Sequence, residues 1–99
     1  MTTAPGGVAE LDEYDAVFWA LAHRVRRTIL TALHVHGGEM TSGAIAGWFA
    51  HSWPTTTQHL RVLEQAGLVQ VELRGRERVY RLQTDRLLGV TSRWLGHFS

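Results

Sequence analysis

Ninety-nine residues, 44% hydrophobic and 19% charged, make one ordinary folded domain that buries only about 60–65% of its unfolded surface and gains from dimerising. The absence of cysteine excludes disulfides, thiolate metal sites and thiol redox sensing. No apolar run approaches the roughly 20 residues of a membrane span and the first seven residues lack a signal-peptide pattern, so a cytoplasmic protein is expected.

The net charge of +1 conceals a split: residues 1–22 carry Glu10, Asp12, Glu13 and Asp15 and no base, whereas residues 23–99 carry all ten arginines against five acids. Residues 1–9, with Pro5, Gly6 and Gly7 and no periodicity, read as a disordered tail, and residues 10–99 as the single domain. From Glu10 onward Leu11, Tyr14, Phe18, Leu21 and Val25 follow one another at spacings of three and four, an amphipathic helix whose seam serves either its own core or a dimer interface. Its acids lie in the first turn and a half, favourable against the helix dipole. A second helical segment runs from about Arg24 to His36, turns Val25, Ile29, Leu30 and Leu33 inward, and closes at Gly37-Gly38. The pattern does not distinguish two helices from one bent helix. A third, short helix starts at Thr41 or Ser42 and ends near Ala50, with Ile45, Ala46, Trp48 and Phe49 on its apolar side.

The stretch from Ser52 to Leu68 is a fourth helix. Pro54 suits a first turn, with Ser52 or Trp53 as cap, and Gly67 suits a C-terminal cap. Thr56, Leu60 and Leu63 form its apolar stripe. Thr55, Gln58, Arg61 and Val62 form a second face, free of carboxylates until Glu64, as a surface entering the major groove must be. Only His51 and Ser52 separate the third helix from the fourth, which is helix-turn-helix spacing. After Gly67 the period changes to two: Val69, Val71 and Leu73 alternate with polar residues, Val79 to Leu82 is a second extended run, and Arg74-Gly75-Arg76-Glu77 turns between them. Thr84 is the expected N-cap of a closing helix that reaches about Phe98. Its Leu87, Leu88, Thr91, Trp94, Leu95 and Phe98 cover more surface than one small domain can bury, which points to a dimer interface shared with Leu11, Tyr14 and Phe18; folding back on its own subunit is the alternative. The order α1-α2-α3-α4-β-β-α5 is that of a winged helix-turn-helix, mainly α with a β-hairpin.

Three stretches carry a family resemblance. Leu21-Ala22-His23-Arg24-Val25-Arg26-Arg27-Thr28-Ile29-Leu30 is similar to a second-helix signature. Ser52-Trp53-Pro54 through Gln58-His59-Leu60 and on to Ala66-Gly67-Leu68-Val69 is similar to a recognition helix. Arg74-Gly75-Arg76-Glu77-Arg78-Val79-Tyr80-Arg81-Leu82 is similar to a wing. Together, from about Ala20 to Leu82, they resemble the ArsR/SmtB-type bacterial repressors, in the subgroup without a cysteine metal site. The resemblance implies a homodimeric winged-helix repressor on a palindromic operator, with double-stranded DNA as its partner and no membrane. It departs at the Asp-Pro helix break, which is His23-Arg24 here, at Trp53 where a basic residue is usual, and at Thr56 where an aliphatic one is.

Residues near the start of a recognition helix reach base edges, which nominates Thr55, Thr57 and Gln58, with Trp53 or Pro54 touching a thymine methyl; Gln58 suits adenine. Trp53 packing on Trp48 is the competing role. His59 and Arg61 are expected at phosphates, and Arg74, Arg76 and Arg78 along the backbone or in the minor groove. Doubled by symmetry, Arg61 and the wing give about 6–8 phosphate contacts and a log K against log salt slope of roughly −5 to −7. The Asp-x-His ligand pattern of metal-sensing relatives is absent at Asp85-Arg86-Leu87. His34 and His36 form a nitrogen pair without a third ligand, so no metal or cofactor is expected. A small-molecule inducer is compatible with the resemblance, but no residue pattern indicates one. No cysteine nucleophile, glycine-rich phosphate loop or pair of acids at identifiable catalytic positions suggests an enzyme. The alternative is a winged-helix protein-interaction module that does not bind DNA.

Overall fold

The computed structural model describes residues 5–49 and 53–99. Helix α1 (Pro5–Leu21) is followed by α2 (Arg24–Val35), strand β1 (Glu39–Thr41), α3 (Ser42–Trp48), α4 (Trp53–Gln65), the hairpin β2 (Val69–Arg74) and β3 (Glu77–Leu82), α5 (Thr84–Leu95) and a terminal 3₁₀ turn (Gly96–Phe98). The helix begins inside the stretch expected to be a disordered tail: residues 5–9 are helical, and proline's fixed φ and missing N–H suit a first turn. Residues 1–4, the rest of that expectation, lie outside the described residues.

The first two helices are separate. His23 has extended geometry and its Nδ1 accepts from Val25 N at 3.1 Å, so an imidazole does the capping that a short oxygen side chain usually does. Two arginines of α2 donate to carbonyls in the last turn of α1. Arg26 donates from Nε to Ala20 O and from Nη2 to Trp19 O, both at 2.8 Å, and Arg27 donates from Nη1 to Leu21 O at 2.8 Å. Arg26 is buried, 7% exposed, while Arg27 stays at the surface. Cations near a helix C-terminus also oppose the dipole favourably.

The sheet has three antiparallel strands in the order β1-β3-β2. Strand β1 was not anticipated, since Glu-Met-Thr is too short to show alternation. It pairs Met40 with Tyr80 on β3 and Thr41 then caps α3, its side chain accepting from Ala44 N at 3.1 Å. The hairpin reverses at Gly75-Arg76, with Gly75 at φ 63°, a backbone region that a residue with Cβ enters only at a cost. Correcting the sequence expectation, Thr84 is the first residue of α5 and Gln83 is its cap, without a side-chain capping bond.

Ile29, Leu33, Leu60, Leu63, Leu68, Val17 and Val90 are fully buried and draw α1, α2, α4, α5 and the residue before β2 into one core. The stripe Thr56-Leu60-Leu63 of α4 is buried throughout. Helix α4 ends in a Schellman motif: Leu68 N reaches Leu63 O at 3.0 Å and Gly67 N reaches Glu64 O at 2.9 Å, with Gly67 at φ 76°.

Helices α1 and α5 pack on each other. Phe18 meets Trp94 edge-on with centroids 5.1 Å apart, and Tyr14 meets His97 at 6.3 Å. Glu13 accepts from both Arg93 (2.6 Å) and Arg86. Arg93, hydrogen-bonded to it, and then Arg86 hold the Glu13 carboxyl below the ordinary carboxylate range. Such a group binds fewer protons folded than unfolded, so its stabilisation is present above about pH 4 and is lost as pH falls through the depressed folded value. Glu13→Gln should therefore flatten part of the acid limb in a pH series of urea melts, leaving the slope between pH 6 and 8 unchanged. An acid limb as steep as that of the parent would assign the effect to other carboxylates.

Candidate nucleic-acid interface

Helix α4 lies with its buried stripe on the core and its opposite face outward. Trp53, Pro54, Thr55, Gln58 and Arg61 are exposed, and Val62 is half-buried. This brings the groove-facing candidates of the sequence onto one surface of the helix, beginning at its N-terminus. The expected Ser52 cap and the turn at 51–52 lie outside the described residues. Trp53 makes no ring contact with Trp48 among the described residues; Trp48 instead packs edge-on against His36, 5.3 Å between centroids.

Two members of the predicted set are turned elsewhere. The Thr57 hydroxyl is shielded from solvent and has no hydrogen-bond partner among the described residues, so it is not on the outward face. His59, expected at a phosphate, is half-buried: its Nδ1 lies 3.3 Å from Arg26 Nη1 and its ring 4.4 Å from that of His23. A guanidinium can only donate, so the His59 nitrogen is the acceptor. His59 thus fastens α4 to the corner between α1 and α2.

The wing separates arginines that look alike in the sequence. Pairing of Val71 with Tyr80 and Leu73 with Arg78 puts Arg78 on the sheet face that carries Val69, Val71 and Tyr80, the face packed on the α4 side of the core. Arg74 pairs with Glu77, on the other face. There Arg74 holds Glu39 at 2.6 Å and Glu72 at 2.6 Å, and Arg81 holds Glu72 at 2.6 Å. The Arg74 pKa is raised by these two hydrogen-bonded carboxylates, Glu39 first, and the Glu39 carboxyl is lowered chiefly by Arg74. Arg74 therefore braces the wing across three strands. Arg76 at the turn, Arg78 and Arg61 are exposed and form no ion pair among the described residues.

The dimer candidates divide as well. Tyr14 is buried in its own subunit and Phe18 half-buried, because the α1–α5 contact uses them; Leu87, which faces α2 and β3, and Thr91, whose hydroxyl donates to Leu87 O, are half-buried as well. Leu11 (61% exposed), Leu88 (58%), Leu95 (59%) and Phe98 (73%), with Trp94 beside them, remain uncovered. His34 and His36 diverge: His36 donates from Nδ1 to Ala32 O at 2.8 Å, and His34 edges a groove of about 330 Å³ between α2, β3 and α5. No cluster of three or more His, Asp or Glu suited to a metal occurs among the described residues, and no helix there is long and apolar enough to cross a membrane.

The roles of Arg26, Arg27 and Arg86 were not legible beforehand. The Arg26-Arg27 pair was visible as a motif, but its partners lie six or seven residues back across a helix break. Arg86 reaches Glu13 and Ala66, 73 and 20 residues away.

Residues 21–72 match the family model of a helix-turn-helix domain. The chain is 37% identical over 82 residues to the transcriptional repressor SdpR of Bacillus subtilis (strain 168), an alignment spanning 83% of this chain and 88% of that protein. It is similar to an ArsR-like transcriptional regulator from Rhodococcus sp. RHA1, at 30% identity and a TM-score of 0.75 over 89% of this chain and 80% of the other. It is also similar to the homodimeric winged helix-turn-helix DNA-binding domain Mb0332 of Mycobacterium bovis, at 27% identity and a TM-score of 0.77 over 98% and 90% of the two chains.

Proposed function

Because the chain belongs to the ArsR/SmtB-type winged helix-turn-helix transcriptional repressors, we propose that two protomers joined through α1 and α5 bind a palindromic operator, each presenting the start of α4 to one half-site. The protein is a DNA-binding regulator of transcription and not an enzyme. The observation that carries the finer reading is the exposed Thr55-Gln58-Arg61 face, without a carboxylate, beside two wing arginines that no acid of the described residues neutralises. Gln58 reads a base edge, adenine being the one its amide matches in both donor and acceptor, and Thr55 lies beside it. Arg61, Arg76 and Arg78 contact phosphates. Arg74 and His59 are left out of the interface because each is held within the protein. Leu11, Leu88, Trp94, Leu95 and Phe98 form the subunit contact, where two copies of the patch bury apolar surface that water would otherwise cover.

In vitro selection from a random duplex library tests this reading. The parent protein should enrich an inverted repeat with half-sites about one helical turn apart. Gln58→Ala should weaken binding to the selected duplex by about 1–3 kcal/mol per half-site and relax preference at a single base pair in each half. Uniform loss across all sequences would remove Gln58 from the reading role. Failure of the parent to enrich any motif would favour the protein-interaction module.

A further inference from the structure

We propose that Arg86 is a positioning residue that fixes the angle of the recognition helix against the dimerisation layer and so sets the half-site spacing the dimer accepts; this rests on the dimeric operator reading above. Arg86 stands in the first turn of α5. Its Nη1 donates to Glu13 of α1, and its Nε donates to Ala66 O at 3.2 Å, in the cap of α4. One guanidinium therefore joins the two helices assigned to the subunit contact to the helix assigned to DNA.

The nest for this side chain is specific. A Cβ built on Gly67 would lie 3.1 Å from Arg86 Nε, so Gly67 both takes the φ of 76° that ends α4 and leaves room for the guanidinium. The charge meets the negative end of the α4 dipole. Glu13 is held in place from its other oxygen by Arg93, at 2.6 Å, and Arg93 in turn donates to Gly89 O at 3.2 Å. Midway along α4, the His59–Arg26 contact ties the helix to the end of α1. The helix is thus fastened to the α1–α5 layer at its middle and at its C-terminus, and its N-terminal half presents the exposed Thr55 and Gln58 outward.

That geometry makes angle equivalent to spacing. From His59, the tie that remains when the clasp is loosened, to Thr55 is four residues, about 6 Å along a helix, so a tilt of about 10° displaces the reading end by about 1 Å, a third of the rise of one base pair. Two symmetric recognition helices double the change in their separation. Loosening the clasp should broaden the accepted spacing without removing any DNA contact.

The test uses full-length Arg86→Met and Arg86→Lys, with duplexes carrying the half-site selected by the parent at its preferred spacing and at one and two base pairs more or less. The parent should prefer its own spacing by at least about tenfold. Arg86→Met should narrow that preference to about threefold or less, with the salt slope unchanged because no phosphate contact is lost; Arg86→Lys should lie between. Sedimentation must show the same dimer. An Arg86→Met protein that keeps the parent's preference, or that loses affinity equally at every spacing, overturns the proposal and leaves the operator reading intact. A parent that selects no inverted repeat overturns both. If Arg86→Met fails to melt cooperatively, Glu13→Ala, which removes the anchor but leaves the Ala66 bond, takes its place and should broaden the preference partially; an unchanged preference in that variant overturns the proposal.

Discussion

Replacing Arg76 and Arg78 together by alanine is expected to lower the salt dependence of DNA binding by more than half. Once Arg74 and His59 are assigned to contacts within the protein, three arginines per protomer remain for phosphate: Arg61, Arg76 and Arg78. A dimer then neutralises about six phosphates, giving a slope near −5 and roughly a thousandfold loss of affinity between 50 and 200 mM salt. The double substitution leaves about two contacts, a slope near −2 and only about tenfold loss over the same range. Fluorescence anisotropy on the selected duplex at several salt concentrations reads this directly. Arg74→Ala is the internal control: it breaks pairs with Glu39 and Glu72, so it should loosen the wing while the slope stays near −5. A slope that falls with Arg74→Ala and not with the double substitution would reverse the assignment of the two sheet faces.

The second large effect is on stability. Arg26→Met should cost about 2–4 kcal/mol, because hydrogen bonds from a charged donor are worth about 1.5–3 kcal/mol each and a buried acceptor left without a partner adds its desolvation penalty. The Ala20 carbonyl loses its donor, the Trp19 carbonyl keeps only Ala22 N at 3.2 Å, and His59 loses its contact with the guanidinium. For a domain of this size the melting temperature should drop by about 10–20 °C at fixed protein concentration. Arg27→Met, which removes one exposed bond to Leu21 O, should cost less than about 1 kcal/mol. Equal, small losses from the two substitutions would show that α1 does not depend on a buried cap.

The elements that could be read from the sequence are those in which one periodicity carries both burial and identity. Thr56, Leu60 and Leu63 announce α4 and are buried as a stripe, Gly67 ends it, and the change to period two after Val69 marks the wing. What could not be read depends on which residue lies across from which. Arg74, Arg76 and Arg78 share one spacing, but the two-residue turn at Gly75-Arg76 reverses the facing, so that Arg74 joins an acidic ladder and Arg78 does not. Thr57 and His59 sit near Gln58 in sequence, yet a helix rotates each residue by 100° from the last, and these two face inward or sideways. Strand β1 has three residues and no pattern of its own; it exists because β3 offers an edge. At the break between α1 and α2, the familiar Asp-Pro is replaced by His23 as cap and by Arg26 and Arg27 as donors to the end of α1. The apolar face of α5 was legible as a surface in need of cover, but not how much of that cover α1 supplies through Tyr14 and Phe18.

Amide chemical-shift mapping of the labelled protein, titrated with the duplex it selects, shows where DNA sits. Perturbations should centre on Thr55, Gln58 and Arg61 of α4 and on Gly75, Arg76 and Arg78 of the wing, in a single set of resonances, since a palindrome presents the same half-site to both protomers. Perturbations confined to α1 and α5, with Thr55 to Arg61 and the wing unmoved, would contradict that placement.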